Sequence, residues 1–388
     1  MASFDPSAFV TALTGLLPQA RPLALHEPRF AGREWEYVKD CIDTGWVSSV
    51  GAYVDRFERI LSERLGAHAV AVVNGTAALH VALQLAGVRR DDEVLVPALT
   101  FIATANAVSF CGSVPHFVDA GRATLGIDPA ALDTWLEQTA MVRDGACVNR
   151  RTGRRIAAVV PMHVFGHPVD MDALAAVAER WSIAVVEDAA EALGSRYHGR
   201  ACGSLGRIGA LSFNGNKIIT TGGGGALITT DPDLAKRAKH LTTTAKLPHA
   251  WGFEHDQVGY NYRLPNLNAA LGVAQLEQLD GFIAAKRRLA EHYRAGLAGL
   301  PGVEFIAEPV GTHSIYWLNA VLVPDVAARD ALLAATHAVG LLTRPAWGLM
   351  HRQPMYESCP RAPLPVAEDL ADRMVCLPSG VAVTPEEV

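Results

Sequence analysis

The sequence predicts an α/β protein in which a large, mainly parallel sheet is followed by a small α+β domain. Between about residues 69 and 230, short apolar runs rich in β-branched residues alternate with segments of helical period. Strands that are apolar throughout are buried on both faces, as in parallel sheets covered by helices. After about residue 245 the alternation stops and a long helical segment takes its place.

Seven short runs are the predicted strands of the large sheet. In chain order they are AVAVV (69–73), EVLVPAL (93–99), VPHFVDA (114–120), RRIAAVVPM (154–162), IAVVEDA (183–189), ALSFN (210–214) and GGALITTD (224–231). Intervening segments such as TAALHVALQLAG and DMDALAAVAERW repeat apolar residues three and four positions apart, which is typical of helices that pack on a sheet. We therefore expect a mainly parallel, seven-stranded sheet with helices on both faces.

The C-terminal part of the chain has a different pattern. A long helical stretch is expected over residues 264–300, capped near its start by Asn266 or Asn268. A break in this stretch is expected near Asp280-Gly281. Beyond it, VEFIAEP, SIYWLNAVLVP and LTRPAW predict strands, and ARDALLAATHAVG predicts a helix between the last two. These elements indicate a small α+β domain.

The chain is accordingly divided into three regions. Residues 1–30 are an N-terminal arm, residues 31–250 form the large α/β domain, and residues 251–388 form a linking helix and the small α+β domain. The 388 residues are 50% hydrophobic and 19% charged, which is typical of a globular protein with a sizeable core.

Charge and hydropathy argue against several kinds of partner. The formal net charge is −6, so there is no electrostatic reason to expect nucleic acid or an anionic membrane. No apolar run is long enough to span a membrane, and the N-terminus lacks a signal-peptide pattern, so we expect a cytoplasmic protein. The six cysteines form no CxxC pair, which favours reduced thiols and gives no sign of a metal site.

Chemically capable side chains follow several predicted strands, at the sheet edge where open α/β sheets bind ligands. Gly75 and Thr76 lie in VNGTAAL, where a helix N-terminus offers N–H groups and a hydroxyl to an anion. A plain helix cap is the alternative for Thr76. Asp188 follows an apolar strand, where a carboxylate needs a partner because burying a bare charge is costly. A helix cap or a buried ion pair is the alternative for Asp188.

Lys217 ends the stretch SFNGNK and precedes a run of four glycines. A lysine at a strand end in apolar surroundings is activated as a nucleophile and Schiff-base former, and an exposed, solvated lysine is the alternative. Ser212, five residues earlier, is a candidate phosphate ligand, and Gly222–Gly225 leave room for backbone beside a ligand. Phe101 in PALTFIAT offers an aromatic face, with core packing as the alternative.

One ligand matches all of these groups. Pyridoxal 5′-phosphate (PLP) has an aldehyde for Lys217, a ring nitrogen for Asp188 and a ring face for Phe101. Its phosphate suits Thr76 and Ser212. We therefore predict that Lys217 and Asp188 are catalytic residues of a PLP enzyme. The Asp188 carboxylate keeps the ring nitrogen protonated, and Lys217 moves a proton between the substrate and the cofactor.

The chain resembles the sugar aminotransferases of the DegT/DnrJ/EryC1/StrS family, which are PLP enzymes of fold type I. The resemblance extends from residue 26 to residue 380, and its motifs are NGTAAL, EDAAEALGS, SFNGNKIITTGGGG and VGYNYRLPNLNAALG. It implies the aspartate aminotransferase-like fold, with PLP bound by residues 31–250. It also implies that Lys217 forms the Schiff base with PLP and that Asp188 pairs with the pyridine nitrogen.

The resemblance assigns further cofactor contacts. Gly75, Thr76 and Ser212 are expected to hold the phosphate, and Phe101 is expected to stack on the ring. Asn261 in GYN is expected to reach the phosphate of the neighbouring subunit's cofactor. The resemblance therefore implies a homodimer with shared active sites.

Glu191 departs from the family pattern, since many members carry Gln or His at this position near the cofactor's 3′-oxygen. A carboxylate beside a phenolate is unfavourable unless it is protonated or turned away. The motifs, together with PMHVFGHPVDMDAL and TRPAW, are most similar to the branch associated with legionaminic acid biosynthesis. That resemblance implies transfer of the amino group of L-glutamate to C4 of a nucleotide-linked 4-keto-6-deoxy-N-acetylhexosamine. Amination of a 3-keto sugar linked to dTDP or UDP is the alternative.

Residues that contact the nucleotide-linked sugar are the least specified by the sequence. The candidates are Trp46, Ser48, His163, Phe165, Arg263, Arg344 and Trp347. For each of them, packing or capping is an alternative, and for Arg263 the alternative is an interface salt bridge.

Two other function classes were weighed against transamination. A nicotinamide oxidoreductase needs a G-x-G-x-x-G turn that follows a strand and opens a helix, and the glycine run instead precedes a strand. A PLP-binding regulatory protein without turnover needs a DNA-binding module, and the chain has neither a basic patch nor a helix-turn-helix appendage.

Overall fold

In the computed structural model, which describes residues 4–19 and 21–383, helices alternate with the strands of a large sheet between residues 68 and 188. The helices are α1 (Pro6–Gly15), α2 (Glu34–Thr44), α3 (Ala52–Leu65), α4 (Gly75–Leu85), α5 (Ile102–Phe110), α6 (Pro129–Thr139), α7 (Met171–Arg180), α8 (Pro232–Thr242), α9 (Asn266–Leu276), α10 (Leu279–Gly296), α11 (Val326–Ala338) and α12 (Pro365–Arg373). The strands are β1 (His68–Val72), β2 (Glu93–Pro97), β3 (Val114–Val118), β4 (Ala140–Arg143), β5 (Ala146–Asn149), β6 (Ile156–Val159), β7 (Ala184–Asp188), β8 (Arg196–Tyr197), β9 (Arg200–Ala201), β10 (Ile208–Ser212), β11 (Gly225–Thr229), β12 (Glu304–Phe305), β13 (Thr312–His313), β14 (Asn319–Leu322), β15 (Arg344–Pro345) and β16 (Met374–Leu377). The predicted arm and the predicted C-terminal domain extend to residues 1–3, 20 and 384–388, which lie outside the described part of the chain.

The large sheet has seven strands in the order β1-β11-β10-β7-β6-β2-β3. Strand β11 runs antiparallel to both of its neighbours, and β10, β7, β6, β2 and β3 pair in parallel. The predicted mainly parallel, seven-stranded sheet is therefore confirmed. Because parallel strands end at the same edge, Asp188 at the end of β7 and Ser212 at the end of β10 lie at that edge together.

Helices cover both faces of this sheet, as the apolar strands require. Every residue of β2 and β6 is buried, and most of α4 is buried where it packs on β10 and β11. On the other side of the site, α9 packs on α2 and α3. The Phe57 ring of α3 meets the Phe213 ring edge to face at 5.1 Å between centroids. Burial of each such ring stabilises the fold by about 1.5–3 kcal/mol, and it fixes the helices whose ends form the site.

A second, antiparallel sheet in the order β12-β14-β16-β15 builds the C-terminal part of the protein. Helix α1 packs on this part, because Phe9 and Leu13 share a hydrophobic core with Tyr293 and Val321. The predicted arm over residues 1–30 thus contributes a helix to the C-terminal core. The division of the chain into three regions stays a prediction.

The predicted long helix is two helices, α9 and α10, separated at Glu277-Gln278 rather than at Asp280-Gly281. Asn266 does not cap α9, whose N-cap position is occupied by Pro265. Its side chain instead accepts the first-turn amides of α3, at 3.0 Å between Oδ1 and the Tyr53 nitrogen. The preceding proline starts the helix, which leaves the Asn266 amide free to cap the helix packed against it.

The glycine run makes room for the chain itself. A Cβ on Gly225 would lie 2.5 Å from the Asn74 carbonyl carbon, and one on Gly224 would lie 2.2 Å from Thr221 Oγ1. Gly222 has φ = +79°, a conformation that other residues adopt at a cost. The room for backbone that was predicted beside a ligand is taken at Gly225 by Asn74, and the space at Gly224 is taken by the Thr221 side chain. At Gly225 the missing side chain allows β11 to approach the N-terminus of α4.

We expect Gly225→Ala to push the backbone of Asn74 away from β11. Such overlap costs about 1–3 kcal/mol, so the melting temperature falls by several degrees. Gly281→Ala is the matched control, because a Cβ there meets nothing within 4 Å and Gly281 lies inside α10. Thermal unfolding followed by circular dichroism checks both variants. Equal melting temperatures for Gly225→Ala and the unmodified protein would show that the close approach is unimportant.

Candidate active site

The N-terminus of α4 forms one wall of a cavity at the carboxyl edge of the large sheet. Asn74 caps this helix, since its Oδ1 accepts the Ala77 amide at 2.7 Å. The amides of Gly75 and Thr76 in the first turn have no intrahelical acceptor. A Cβ on Gly75 would lie 2.9 Å from Ser212 Cβ, so the end of β10 adjoins this helix end. N–H groups and two hydroxyls therefore converge on a site suited to a dianion.

Asp188 supplies a buried carboxylate to the same cavity. Its Oδ2 accepts a hydrogen bond from Thr104 Oγ1 at 2.7 Å, and its Oδ1 accepts the Ala190 amide at 3.2 Å. Burial raises the pKa of Asp188, and the bond from Thr104 and the charge of Lys217 oppose that rise. A carboxylate in this position is stabilised by any cationic group that enters the cavity.

Lys217 reaches the cavity from the loop after β10. Its Nζ lies 3.1 Å from Glu191 Oε1 and 4.0 Å from the centroid of the Trp317 ring. Only 11% of the Lys217 side chain is exposed. The amine is thus held between a carboxylate and the face of an indole ring, both of which attract its charged form.

Glu191 is buried beside this lysine. Its Oε2 accepts the backbone N–H of Phe165 at 3.0 Å, which leaves Oε1 for Lys217. Burial raises the pKa of Glu191 to about 7, against the opposing effect of the Lys217 charge. The carboxyl group therefore gains and loses its proton near neutral pH. The sequence resemblance places Glu191 near the cofactor's 3′-oxygen, and a pKa of about 7 makes the protonated form accessible there.

Trp317 joins the C-terminal domain to the lysine loop. Its Nε1 donates to the Asn216 carbonyl at 2.7 Å, one residue before Lys217. Its own carbonyl accepts from Lys286 Nζ at 2.9 Å, and the Lys286 side chain is fully buried. Burial lowers the pKa of Lys286 to about 7. These bonds fix the indole ring over the Lys217 amine.

The cavity has a volume of about 320 Å³. Seven of the eight predicted cofactor contacts line it, namely Gly75, Thr76, Phe101, Asp188, Glu191, Ser212 and Lys217. Phe101 is half exposed and lies at the N-terminus of α5. Trp347, predicted as a substrate contact, also lines the cavity. Phe165 lies behind it, with its ring 5.2 Å from that of Trp347.

Two predicted substrate residues lie elsewhere. His163 is fully buried, with Nε2 3.0 Å from Glu187 Oε2 and Nδ1 accepting the Val169 amide. Arg263 is buried too, and it donates to Glu58 Oε1 at 2.5 Å and to a β1 carbonyl. Neither side chain lines the cavity of this chain, and their substrate-binding roles stay predictions. Both sit in closed polar networks because a buried charge or imidazole requires partners.

Four other predicted residues lie outside the cavity of this chain and are exposed. Trp46 and Ser48 lie in the loop before α3, and the Ser48 carbonyl accepts the Asn266 amide at 2.6 Å. Arg344 lies on β15. Asn261 forms a bridge with Thr243. Their substrate and partner-subunit roles stay predictions.

Three residues that shape the site were not predicted, namely Trp317, Thr104 and Asn216. Trp317 and Thr104 contact Lys217 and Asp188 because distant segments meet at the sheet edge, and the Asn216 carbonyl accepts the Trp317 indole N–H. Thr104 stands three residues after Phe101, so its place on the first turn of α5 was the only sign available.

The comparison with protein families agrees with this geometry. Residues 28–388 match the DegT/DnrJ/EryC1/StrS aminotransferase family. The chain belongs to this family. Like the relatives named below, it is a PLP-dependent nucleotide-sugar aminotransferase.

Individual relatives cover almost the whole aminotransferase chain. A GDP-perosamine synthase of Caulobacter vibrioides is 37% identical over 373 residues, which cover 94% of this chain and 95% of the relative. EpsN of Bacillus subtilis (strain 168), by its name a PLP-dependent aminotransferase, is 35% identical over 372 residues, with coverage of 95% and 93%. The aminotransferase TlmJ from Streptoalloteichus hindustanus superposes with a TM-score of 0.84 at 31% identity, covering 93% of this chain and 94% of TlmJ.

The residues of the aminotransferase cavity fit PLP. The first turn of α4 with Ser212 suits the phosphate, and buried Asp188 suits a protonated ring nitrogen. Lys217 is the one lysine that lines this cavity among the described residues. When bound, PLP supplies an aldehyde that takes up an amino group and a ring that accepts electrons. Within the described residues, no helix combines the length and the apolar character needed to cross a bilayer.

Lys217→Ala is expected to abolish the absorbance of lysine-bound PLP and to lower turnover by at least ~100-fold, because both nucleophile and proton carrier are lost. Lys236→Ala is the control, since that side chain is exposed on α8. Absorbance spectra of the purified variants and a coupled turnover assay check the prediction. Near-normal turnover of Lys217→Ala would contradict it.

Proposed function

We propose that this aminotransferase moves the amino group of L-glutamate to the C4 keto carbon of a nucleotide-linked 4-keto-6-deoxy-N-acetylhexosamine. The observation that carries the transfer chemistry is the meeting of Lys217, Asp188 and the N-terminus of α4 in one cavity. A lysine amine, a buried carboxylate and an anion site are the groups that PLP chemistry requires of a protein.

Each of these residues has a distinct role in the proposal. Lys217 removes the proton from the α-carbon of glutamate and delivers it during the return half of the reaction. Asp188 holds positive charge on the ring nitrogen, which it does best because it is buried. Trp317 and Trp347 form an apolar wall that limits the access of water to the Lys217 amine.

There are two candidates for the nucleotide-linked keto sugar. The motifs EDAAEALGS, SFNGNKIITTGGGG, PMHVFGHPVDMDAL and TRPAW favour an N-acetylhexosamine substrate, as the sequence resemblance implies. A GDP-linked keto sugar is the second candidate, because three relatives at 35–37% identity are named GDP-perosamine synthase. A further neighbour, DesI, was crystallised with its TDP-sugar product and superposes with a TM-score of 0.82 at 31% identity. Nucleotide-sugar binding is thus common to all of these candidates.

A two-stage experiment separates them. Mixing the purified holoenzyme with L-glutamate is expected to bleach the absorbance of lysine-bound PLP, with L-lysine as the control donor. The amine-loaded enzyme is then offered 4-keto-6-deoxy sugars linked to UDP and to GDP, and a 3-keto sugar linked to dTDP. We expect the largest kcat/KM for the UDP-linked N-acetyl sugar. A preference for the GDP sugar selects the second candidate, and a preference for the 3-keto sugar overturns C4 amination.

We infer further that the active enzyme is a homodimer with shared sites. The segment 247–258 exposes three large apolar side chains, since Trp251, Phe253 and Val258 each have more than 80% of their surface accessible. Apolar side chains clustered in this way are typical of an interaction surface. Asn261, predicted to contact the partner's cofactor, follows this segment and is exposed outside its own chain's cavity.

Mixed dimers test the shared site. Lys217→Ala and Asn261→Ala homodimers are each expected to have low turnover, and subunit exchange between them creates dimers with one complete site. Turnover is therefore expected to rise to about a quarter of the unmodified level after random exchange. Exchange is verified by affinity tags of two kinds, and Lys217→Ala mixed with the unmodified enzyme is the control. Exchange without recovery, or full turnover of Asn261→Ala alone, would contradict a shared site.

A further inference from the structure

Lys217 has a protein carboxylate within direct reach, in addition to the groups that hold the cofactor. Its Nζ lies 3.1 Å from Glu191 Oε1, and the Glu191 side chain is only 1% exposed. A lysine that acts as a nucleophile has to lose a proton, and a lysine that is released has to regain one. The buried contact places a proton acceptor at hydrogen-bond distance from that nitrogen.

A strained segment holds the Glu191 carboxylate in place. Phe165 has φ 56° and ψ 16°, a left-handed conformation that is costly for an aromatic residue. This conformation lets its N–H donate to Glu191 Oε2 at 3.0 Å. Its buried ring packs against Trp347 and Trp317, which keeps the backbone from relaxing. With Oε2 fixed in this way, Oε1 faces Lys217.

Three charged or titratable groups act on the Glu191 carboxyl from the elements around it. Lys217 favours the carboxylate, and Asp188 at the end of β7 disfavours it. The buried Cys376 thiol on β16 has its pKa raised, chiefly by burial and also by Glu191. Burial of Glu191 is the largest effect on its own pKa, which lies at about 7. Both protonation states are therefore accessible under the conditions in which a lysine and a carboxylate exchange a proton.

We propose that Glu191 is a catalytic residue that takes a proton from the Lys217 ammonium group when the amine has to attack, and returns it when the lysine is released. One N–H bond of Lys217 breaks and one O–H bond of Glu191 forms, and no other reactant is needed. A glutamine at this position accepts a hydrogen bond but does not hold the proton. The proposal rests on the proposed role of Lys217.

The alternative is that Glu191 only tunes the charge of Lys217. The two roles predict opposite outcomes for Glu191→Gln. Removal of the carboxylate makes the neutral amine of Lys217 easier to form in both cases. If Glu191 only tunes charge, the variant reacts at least as fast as the unmodified enzyme. If Glu191 carries the proton, the variant reacts slowly although its amine is more available.

The first measurement uses the cofactor-free enzyme. Acylation of Lys217 by an amine-specific reagent is followed against pH, with the modified peptide quantified by mass spectrometry. In Glu191→Gln the labelling profile is expected to move to lower pH by at least about 1 unit, because an opposite charge within 4 Å is lost. An unmoved profile would show that the Glu191–Lys217 contact is not maintained in solution, which overturns the proposal.

The second measurement is the single-turnover rate at which Lys217 of the cofactor-free enzyme attacks added PLP, followed by the absorbance of lysine-bound PLP. The rate for the unmodified enzyme is expected to rise with pH through about 7, because the carboxylate is the form that accepts a proton. In Glu191→Gln this rise is lost and the rate at pH 8 falls about 100-fold. A rate within threefold of the unmodified enzyme, combined with the shifted labelling profile, assigns charge tuning and overturns the proposal.

Two further variants keep these outcomes separate. Glu308→Gln removes a carboxylate from the ion pair with Arg287, away from the cavity, and is expected to change neither profile. Lys217→Ala tests the proposed function itself. If Lys217→Ala turns over normally, the proposed function has failed; if it is inactive and Glu191→Gln reacts normally, only the role of Glu191 has failed.

Discussion

The burial of one lysine amine between a carboxylate and an indole ring is the interaction on which the rest of the site depends. Lys217 meets Glu191 at 3.1 Å and the Trp317 ring at 4.0 Å, and each of these partners is fixed by another element. The Phe165 amide holds Glu191, and Lys286 holds the Trp317 carbonyl. The large sheet contributes the lysine and both carboxylates, and the C-terminal domain contributes the ring. The site therefore exists only when the two parts of the chain are packed together.

The cost of this arrangement explains its supporting contacts. Burial raises the pKa values of Asp188 and Glu191 and lowers that of Lys286, so each group is less stable in its charged form than in water. Nearby donors offset part of that cost, notably Thr104 for Asp188. Such groups are retained because a buried, pre-positioned charge interacts more strongly with a reacting ligand than an exposed one does. Lys286 donates hydrogen bonds to the carbonyls of Trp317 and Ser379. It thereby holds the segment that carries the indole ring over the Lys217 amine.

The sequence was sufficient for those features that short patterns determine. Apolar runs predicted the seven strands, and the strand ends located Lys217, Asp188 and Ser212, because parallel strands bring their carboxyl ends to one edge. Contacts between distant segments were not predictable in this way. The missed strand β16 lies between two predicted strands, and Trp317 reaches the site only through the second sheet.

A polar residue beside a motif has several structural uses, among which the local sequence does not decide. His163 and Arg263 stand in motifs that suggest ligand contacts, yet each completes a buried network with a glutamate, Glu187 and Glu58. Their side-chain directions follow from the need to pair those carboxylates, which the local sequence does not reveal. Gly225 serves the packing of β11 on α4, since the backbone that it approaches, at Asn74, lies far earlier in the chain.

The most direct test of the account is chemical identification of the lysine that holds the cofactor. Borohydride reduction of the holoenzyme fixes the bond between the PLP aldehyde and its lysine, and peptide mass spectrometry then locates the added mass. We predict that it is found on the peptide that contains Lys217, in the cavity that also contains Asp188. Modification of Lys286, or of a surface lysine such as Lys236, with Lys217 unmodified would contradict the account.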